Sequence, residues 1–210
     1  AQAGRVFTAT MEMADIIRHS RSDVQSTFAP GATPSPALKQ VDCTLLTFGM
    51  AHKIRVAGYR KLGEILHGDN RTFRLEISTA LHEGTTFSED FFTVGKEIRE
   101  VFEGNVSFLG FLADEEVSNR MRAADALVAF FPRGVRENNT TVLSAMSHGC
   151  AVITNIDQYS PSWMVHGLSV FDIDKMVHFP SSSQLEEVGR NAKQAVAPYS
   201  FSQLSNIISQ

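Results

Sequence analysis

Cysteine is scarce in this sequence, and the little there is does not suit a disulfide scaffold. Cys43 and Cys150 are the only two in 210 residues, each inside an apolar run (VDCTLLTF and CAVIT) where a free thiol behaves as a small buried hydrophobe. A reducing, cytoplasmic setting is the expectation from such usage. Positive charge is not in excess either, since 19 Lys and Arg stand against 23 Asp and Glu for a net charge of -4. Without a basic stripe to neutralise phosphates, nucleic acid is not an expected partner. No apolar run approaches the ~18 residues of a membrane-spanning helix, and no transmembrane segment or leader is expected. Histidine, cysteine and carboxylate residues do not cluster at metal-ligand spacing, so no metal site is expected. Four Asn-X-Ser/Thr triplets, at Asn70, Asn105, Asn138 and Asn139, carry weight only in a secreted protein and read as coincidence. The chain opens AQAGRVF without an initiator methionine, as expected of a processed protein or a piece of a longer one.

What is present is an ordinary globular composition, 43% hydrophobic and 20% charged. From Val41 onward, strand-like apolar runs alternate with helix-periodic segments, the pattern of βαβ units and a parallel sheet. The spacing predicts strands over 43–48, 73–79, 106–109, 126–131, 151–154 and 169–172. Between and after them it predicts helices over 53–66, 91–102, 114–123, 140–148 and 185–195. Asp114, Glu115 and Glu116 suit the positive end of a helix dipole, and Gly149 suits a left-handed cap. The expected class is α/β, a doubly wound, Rossmann-like parallel sheet. Residues 1–40 read as a strand (5–8), a helix (12–18), a strand (24–28) and a connector, APGATPSPALKQ, whose three prolines mark a domain boundary near 30–40. They are expected to be the tail end of a preceding domain plus a linker, with 41–210 forming the main domain.

The most informative stretch is GVRENNTTVLSAMSHGCAVITN, residues 134–155. If 126–131 is a strand and 140–148 a helix, the intervening loop lies at the carboxyl end of a parallel sheet, where open α/β sheets bind ligands. Asn138 or Asn139 would cap the helix, beside the hydroxyls of Thr140 and Thr141, and the backbone N–H groups there would suit a phosphate. Capping alone would also account for these residues. Arg133 and Arg136 add guanidinium groups that match phosphate oxygens. His52 and His82 follow the first and second strands, so a parallel sheet puts both on the same rim, as candidates for contacts to sugar or phosphate or simply as polar strand ends. His148 and Trp163 read as structural.

The ordered series FGMAHK, VSFLGFLADEE, ADALVAFFP and LSAMSHGCAVITN resembles the carboxyl-terminal donor domain of GT-B glycosyltransferases of the retaining family 4 type, over about residues 41–172. The connector and the segment ahead of it resemble that family's junction with its amino-terminal domain. The resemblance implies one half of a GT-B fold. It further implies a nucleotide-diphosphate sugar as donor substrate, no separate cofactor, and an amino-terminal GT-B domain as partner that supplies acceptor recognition. After the first strand FGMAHK has Gly49 and Lys53 at a shorter spacing than the family's segment and without its phosphate-binding Arg, so Lys53 is the best fit, with His52 and Arg55 as weaker partners. Phe111 and Leu112 match the segment that holds the base, with a core Phe as the alternative. The family's Glu, seven residues, Glu motif is not matched: aligning Ala145 and Met146 places Arg136 and Ser144 at the carboxylate positions, with Glu137 one place out of register.

In a retaining transferase of this kind the hard step is departure of a nucleoside diphosphate. Lys53, Arg136, Arg133 and the helix start at Asn139, Thr140 and Thr141 would stabilise the charge that grows on it, and removing such a donor typically costs on the order of a hundredfold in rate. The 210-residue chain is expected to bind a nucleotide weakly and to catalyse nothing alone. Two other expectations remain open: a GT-B module that lost its chemistry and serves in binding or regulation, and a sugar epimerase, for which Glu83 and Glu137 are the candidate carboxylate pair. Dinucleotide binding is not expected, because no G-x-G-x-x-G follows the first strand.

Overall fold

A computed structural model describes residues 41–50, 55–80 and 89–199. The elements and the boundary expected over 1–40 lie outside the described residues. Six parallel strands form one sheet: β1 (Cys43–Met50), β2 (Phe73–Ala80), β3 (Val106–Phe108), β4 (Ala126–Val128), β5 (Ala151–Thr154) and β6 (Phe171–Asp172). Their order is β3-β2-β1-β4-β5-β6, which is a doubly wound, Rossmann-like sheet. Five helices connect or follow them: α1 (Val56–Gly68), α2 (Glu89–Val101), α3 (Asp114–Ala123), α4 (Thr140–Ser147) and α5 (Ser182–Val196). No helix among the described residues is long and apolar enough to cross a membrane.

The central strands β4 and β5 are buried on both faces and read as apolar runs, whereas β2 alternates, with Arg74 and Glu76 half-buried on one face. In β1, β4 and β5 alternation splits the run between two cores. Leu45, Leu75, Val128 and Ile153 pack with Tyr59, Leu62 and Leu66 of α1 and with Ile98 of α2. Leu46, Leu127 and Val152 point the other way, onto Val117 and Met121 of α3 and Val142 and Met146 of α4. Helix α5 serves both, giving Leu185 and Val188 to the first core and Ala192 and Val196 to the second. Beneath the carboxyl ends of β1 and β4, the buried Tyr59 and Thr47 hydroxyls meet at 2.8 Å and share the Val128 carbonyl. This satisfied polar trio fixes α1 to both strands.

Several ends fall where local chemistry predicts. Helix α3 carries Asp114, Glu115 and Glu116 in its first turn, and Gly149 (φ 78°) follows α4 in the left-handed region. Others differ. Helix α1 starts at Val56, because Arg55 before it is extended (φ -111°, ψ 97°). Strand β4 stops at Val128 rather than 131, and beyond it the side chain of Asn155 takes over the pairing: its Oδ1 accepts from Phe131 N–H (2.8 Å) and its Nδ2 donates to Phe131 C=O (2.7 Å). Strand β6 is only Phe171–Asp172, since the Ser169 hydroxyl is engaged with Trp163 C=O and Val165 N–H in the preceding turn. Helix α5 begins three residues before the predicted start, behind a capping box formed by Ser181 and Gln184.

Candidate functional site

The sheet runs outward in both directions from the β1/β4 pair, so their carboxyl ends flank the point where strand order reverses. Open α/β sheets bind ligands in the crevice at that point. Here the crevice is framed by Gly49 at the end of β1 and the first turn of α4. A Cβ placed on Gly49 would sit 3.8 Å from Thr141 Oγ1, and Gly49 has φ +143°, a backbone state that L side chains rarely adopt. The glycine therefore brings bare backbone beside the helix start.

The loop between β4 and α4 is held from the side by residues that follow β5. Asn155 clamps Phe131 at two points, and its own carbonyl accepts from Val135 N–H at 2.9 Å. Asp157 then receives a two-pronged ion pair from Arg136, with Nη1 to Oδ1 at 2.8 Å and Nη2 to Oδ2 at 2.7 Å. The same Asp157 accepts from Tyr159 N–H (2.9 Å). Gly134 (φ +78°) makes this close approach possible, because a Cβ there would fall 2.9 Å from Asp157 Cγ. Charge follows geometry: the hydrogen bonds between the two groups hold the Arg136 guanidinium above its ordinary range and the Asp157 carboxyl below the usual carboxylate range.

Arg136 was expected as a free cation for a leaving group; it is instead committed to Asp157 and to Val135 C=O. Asn139 does occupy the position before α4, but its side chain makes no cap. Its Oδ1 turns back to accept from Arg136 N–H at 2.7 Å. The reason is competition: the loop offers an N–H three residues earlier, and Asn139 satisfies that one. The first turn of α4 is thus left without a side-chain cap; Thr140 N–H donates to Asn138 C=O (3.0 Å) and Val142 N–H to Asn139 C=O (2.9 Å), so the Thr141 N–H and the positive end of the helix dipole are what the turn can offer a ligand.

Arg133, Glu137, Asn138 and Thr140 are exposed around this turn, and Thr141 is half-buried. Phe111 is 67% exposed beyond β3, which excludes a core role, whereas Leu112 packs in the cluster with Phe48 and Leu143. The loop that carries them is shaped by Ser78, whose hydroxyl donates to Gly110 C=O at 2.9 Å. Ser144 turns its hydroxyl to Met121 Sδ, so neither aligned carboxylate position presents a carboxylate. His148 Nδ1 lies 2.7 Å from Ser144 C=O and Trp163 stacks on Tyr199, both structural roles as expected. His52, Lys53, His82 and Glu83 lie outside the described residues. Among the described residues no group of three or more His, Cys, Asp or Glu is placed to hold a metal ion.

Sequence reasoning missed Asn155, Asp157 and Tyr159. The available signal was their position just after β5, on the same sheet edge as the loop they hold. Of the three, Tyr159 borders an open cleft of about 510 Å³, lined also by Phe131, Pro132, Arg133, Gly134, Arg136 and Asn139. That size lies within the ~300–1,000 Å³ range of small-molecule sites.

No protein-family model matches this sequence, and no curated protein matches it. Solved structures do match its fold. The C-terminal domain of a glycosyl transferase group 1 family protein (LpcC) from Francisella tularensis is similar at 19% identity over 76% of this chain and 87% of its own, with a TM-score of 0.53. Sucrose-phosphate synthase from Thermosynechococcus elongatus is similar at 15% identity over 100% of this chain and 57% of its own (TM-score 0.58). HepE from Anabaena, solved in complex with UDP and glucose, is similar at 14% identity over 97% of this chain and 53% of its own (TM-score 0.57). The chain thus spans just over half the length of the latter two. Its fold is that of the GT-B glycosyltransferase domains.

Proposed function

We propose that this domain is the donor-binding half of a nucleotide-sugar-dependent glycosyltransferase, of the retaining type that the sequence resemblance implies. The observation that carries the reading is the uncapped first turn of α4 facing the bare backbone of Gly49 at the reversal point of the sheet. A diphosphate set there would receive the Thr141 N–H and the hydroxyls of Thr140 and Thr141, and a single helix terminus contributes roughly 0.3–1 kcal/mol to an exposed anion. Lys53, four residues beyond Gly49 in sequence, is the cation assigned to the leaving diphosphate. Arg136 acts indirectly, by fixing the loop that presents the helix start. The Anabaena structure with UDP and glucose supports the class of ligand. Acceptor recognition and turnover belong to the whole protein, with an amino-terminal GT-B domain as the partner.

One observation favours a second reading, a module that binds without transferring. Arg136 and Ser144, at the aligned carboxylate positions, are both turned to structural partners. Calorimetry of this chain against UDP, GDP and ADP tests the first reading. Binding of one of them in the micromolar to millimolar range is expected, with Thr141→Val weakening it. No heat from any at millimolar concentration would remove the donor site. Transferase assays on the full-length protein, with Lys53→Ala as control, separate the two readings: a large fall in turnover belongs to the enzyme, unchanged function to the binding module.

A further inference from the structure

A diphosphate at the start of α4 would leave the neighbouring cleft unfilled, and the cleft has its own chemistry. Two arginines line it, but they are not equivalent. Arg136 is neutralised by Asp157, whereas Arg133 is exposed and forms no ion pair or hydrogen bond among the described residues. Tyr159, 69% exposed, lines the same cleft, an unusual placement for an aromatic ring beside a concave surface. The ring is not loosely hung. Its backbone N–H is tied to Asp157 at 2.9 Å, and the Arg136 guanidinium lies 5.8 Å from its centroid. One carboxylate, Asp157, thus cancels one cation and holds the backbone of the residue that carries the aromatic ring, and leaves Arg133 as the cleft arginine without an ion pair among the described residues.

We propose that this cleft is a carbohydrate subsite for a sugar ring bearing an oxyanion, with the ring's apolar C–H face against Tyr159 and the carboxylate or phosphate oxygens on Arg133. The assignment rests on the nucleotide-sugar reading and adds to it the class of sugar. A guanidinium fork matches either oxyanion in a bidentate manner, and a stacked aromatic gives shape selection without consuming hydrogen bonds. A neutral sugar meets the same ring but leaves Arg133 unpaired, so charge decides preference. Glu137, although exposed in the same loop, is not part of the cleft lining.

The test is a set of NMR titrations of the 210-residue chain with glucuronate, glucose 6-phosphate, glucose and, separately, UDP. At least one charged sugar should bind roughly tenfold or more tightly than glucose, moving the amides of Arg133 and Tyr159. Which one does so separates carboxylate from phosphate. Arg133→Gln should erase the preference and leave glucose binding as it was, while Tyr159→Ala should weaken all three sugars. Equal binding of charged and neutral sugars, no binding of any at tens of millimolar, or a preference that survives Arg133→Gln overturns the subsite, whatever UDP does. Charged sugars binding while UDP leaves the Thr140 and Thr141 amides unmoved would instead sink the nucleotide reading and keep the subsite.

Discussion

Arg136 and Asp157 are paired through two parallel hydrogen bonds of 2.8 and 2.7 Å across 21 residues of sequence. The pair ties the loop before α4 to the turn after β5, and in the same loop Arg136 N–H takes the Asn139 Oδ1 that would otherwise cap α4. Asp157→Ala should therefore weaken UDP binding even though Asp157 lies outside the proposed anion site, by roughly tenfold if the helix start becomes mobile. Arg136→Lys should not restore the wild-type value, because an ammonium cannot span both oxygens. The swapped double variant, Arg136→Asp with Asp157→Arg, should recover part of the loss in calorimetry; if it recovers none, the loop is held by something else.

Acid should loosen the domain through the same carboxyl and two others. Asp157 is held below the usual range chiefly by Arg136, Asp69 by the hydrogen bond to His178, and Asp42 by Thr72 N–H and hydroxyl. A carboxyl depressed in the folded state stabilises fully above the unfolded value near ~4, and that contribution disappears as pH falls through the folded value. Thermal midpoints should be flat above about pH 5 and drop below ~4, and Asp69→Asn should reduce the steepness of the drop. A drop equally steep in that variant assigns the acid sensitivity elsewhere.

Gly189 of α5 has no room for even a methyl group. A Cβ there would sit 2.2 Å from the Gly149 carbonyl oxygen, and neither backbone has a flexible end that can yield. Gly189→Ala should destabilise by roughly 2–3 kcal/mol and lower Tm by roughly 5–10 °C. An unchanged Tm would mean that α5 packs further from Gly149 than it does here.

Thr154, fully buried at the end of β5, carries the one described buried side-chain polar atom without a hydrogen-bond partner. Replacing an unpaired hydroxyl by a methyl of similar shape removes a desolvation penalty, so Thr154→Val should be neutral or stabilising by up to about 1 kcal/mol. Thr154→Ser, which keeps the hydroxyl and loses the methyl, should lose about 1 kcal/mol. Denaturant melts of both variants give the comparison, and a clear loss in the valine variant would reveal a partner for the hydroxyl.

Both thiols should be inert in the folded protein. Burial raises Cys43 and Cys150 to about 12, and each also feels the negative charge of Asp125. Since the thiolate is the reactive form, a thiol-reactive disulfide reagent at neutral pH should modify neither on the timescale that modifies both in denaturant. Rapid labelling of either one in native buffer would show that its strand end opens.

Six strands and five helices among the described residues were legible from short apolar or alternating runs and 3.6-residue spacing, most plainly at β4 and β5, which are buried on both faces. What was not legible is where side chains replace backbone. Nothing local to 126–131 says that Asn155 will cut β4 short and take over its hydrogen bonds. The loop before α4 could be located from Asn138 to Thr141 and the strand ahead of it, but its electrostatics could not. A lone Arg136 reads as a ligand for phosphate until Asp157 is brought against it by the packing of β4 on β5. The Asn139 cap failed for a related reason: a short amide side chain has one oxygen to give, and sequence does not say which N–H reaches it first.

Helix α5 has a further consequence. Its first half closes one side of the sheet and its second half the other, with Gly189 at the crossing, so the two apolar layers share a single buckle. Neither layer can peel away while the other stays shut. A protein assembled in this manner should come apart in one step, and a cut within 182–196 would undo both sides together.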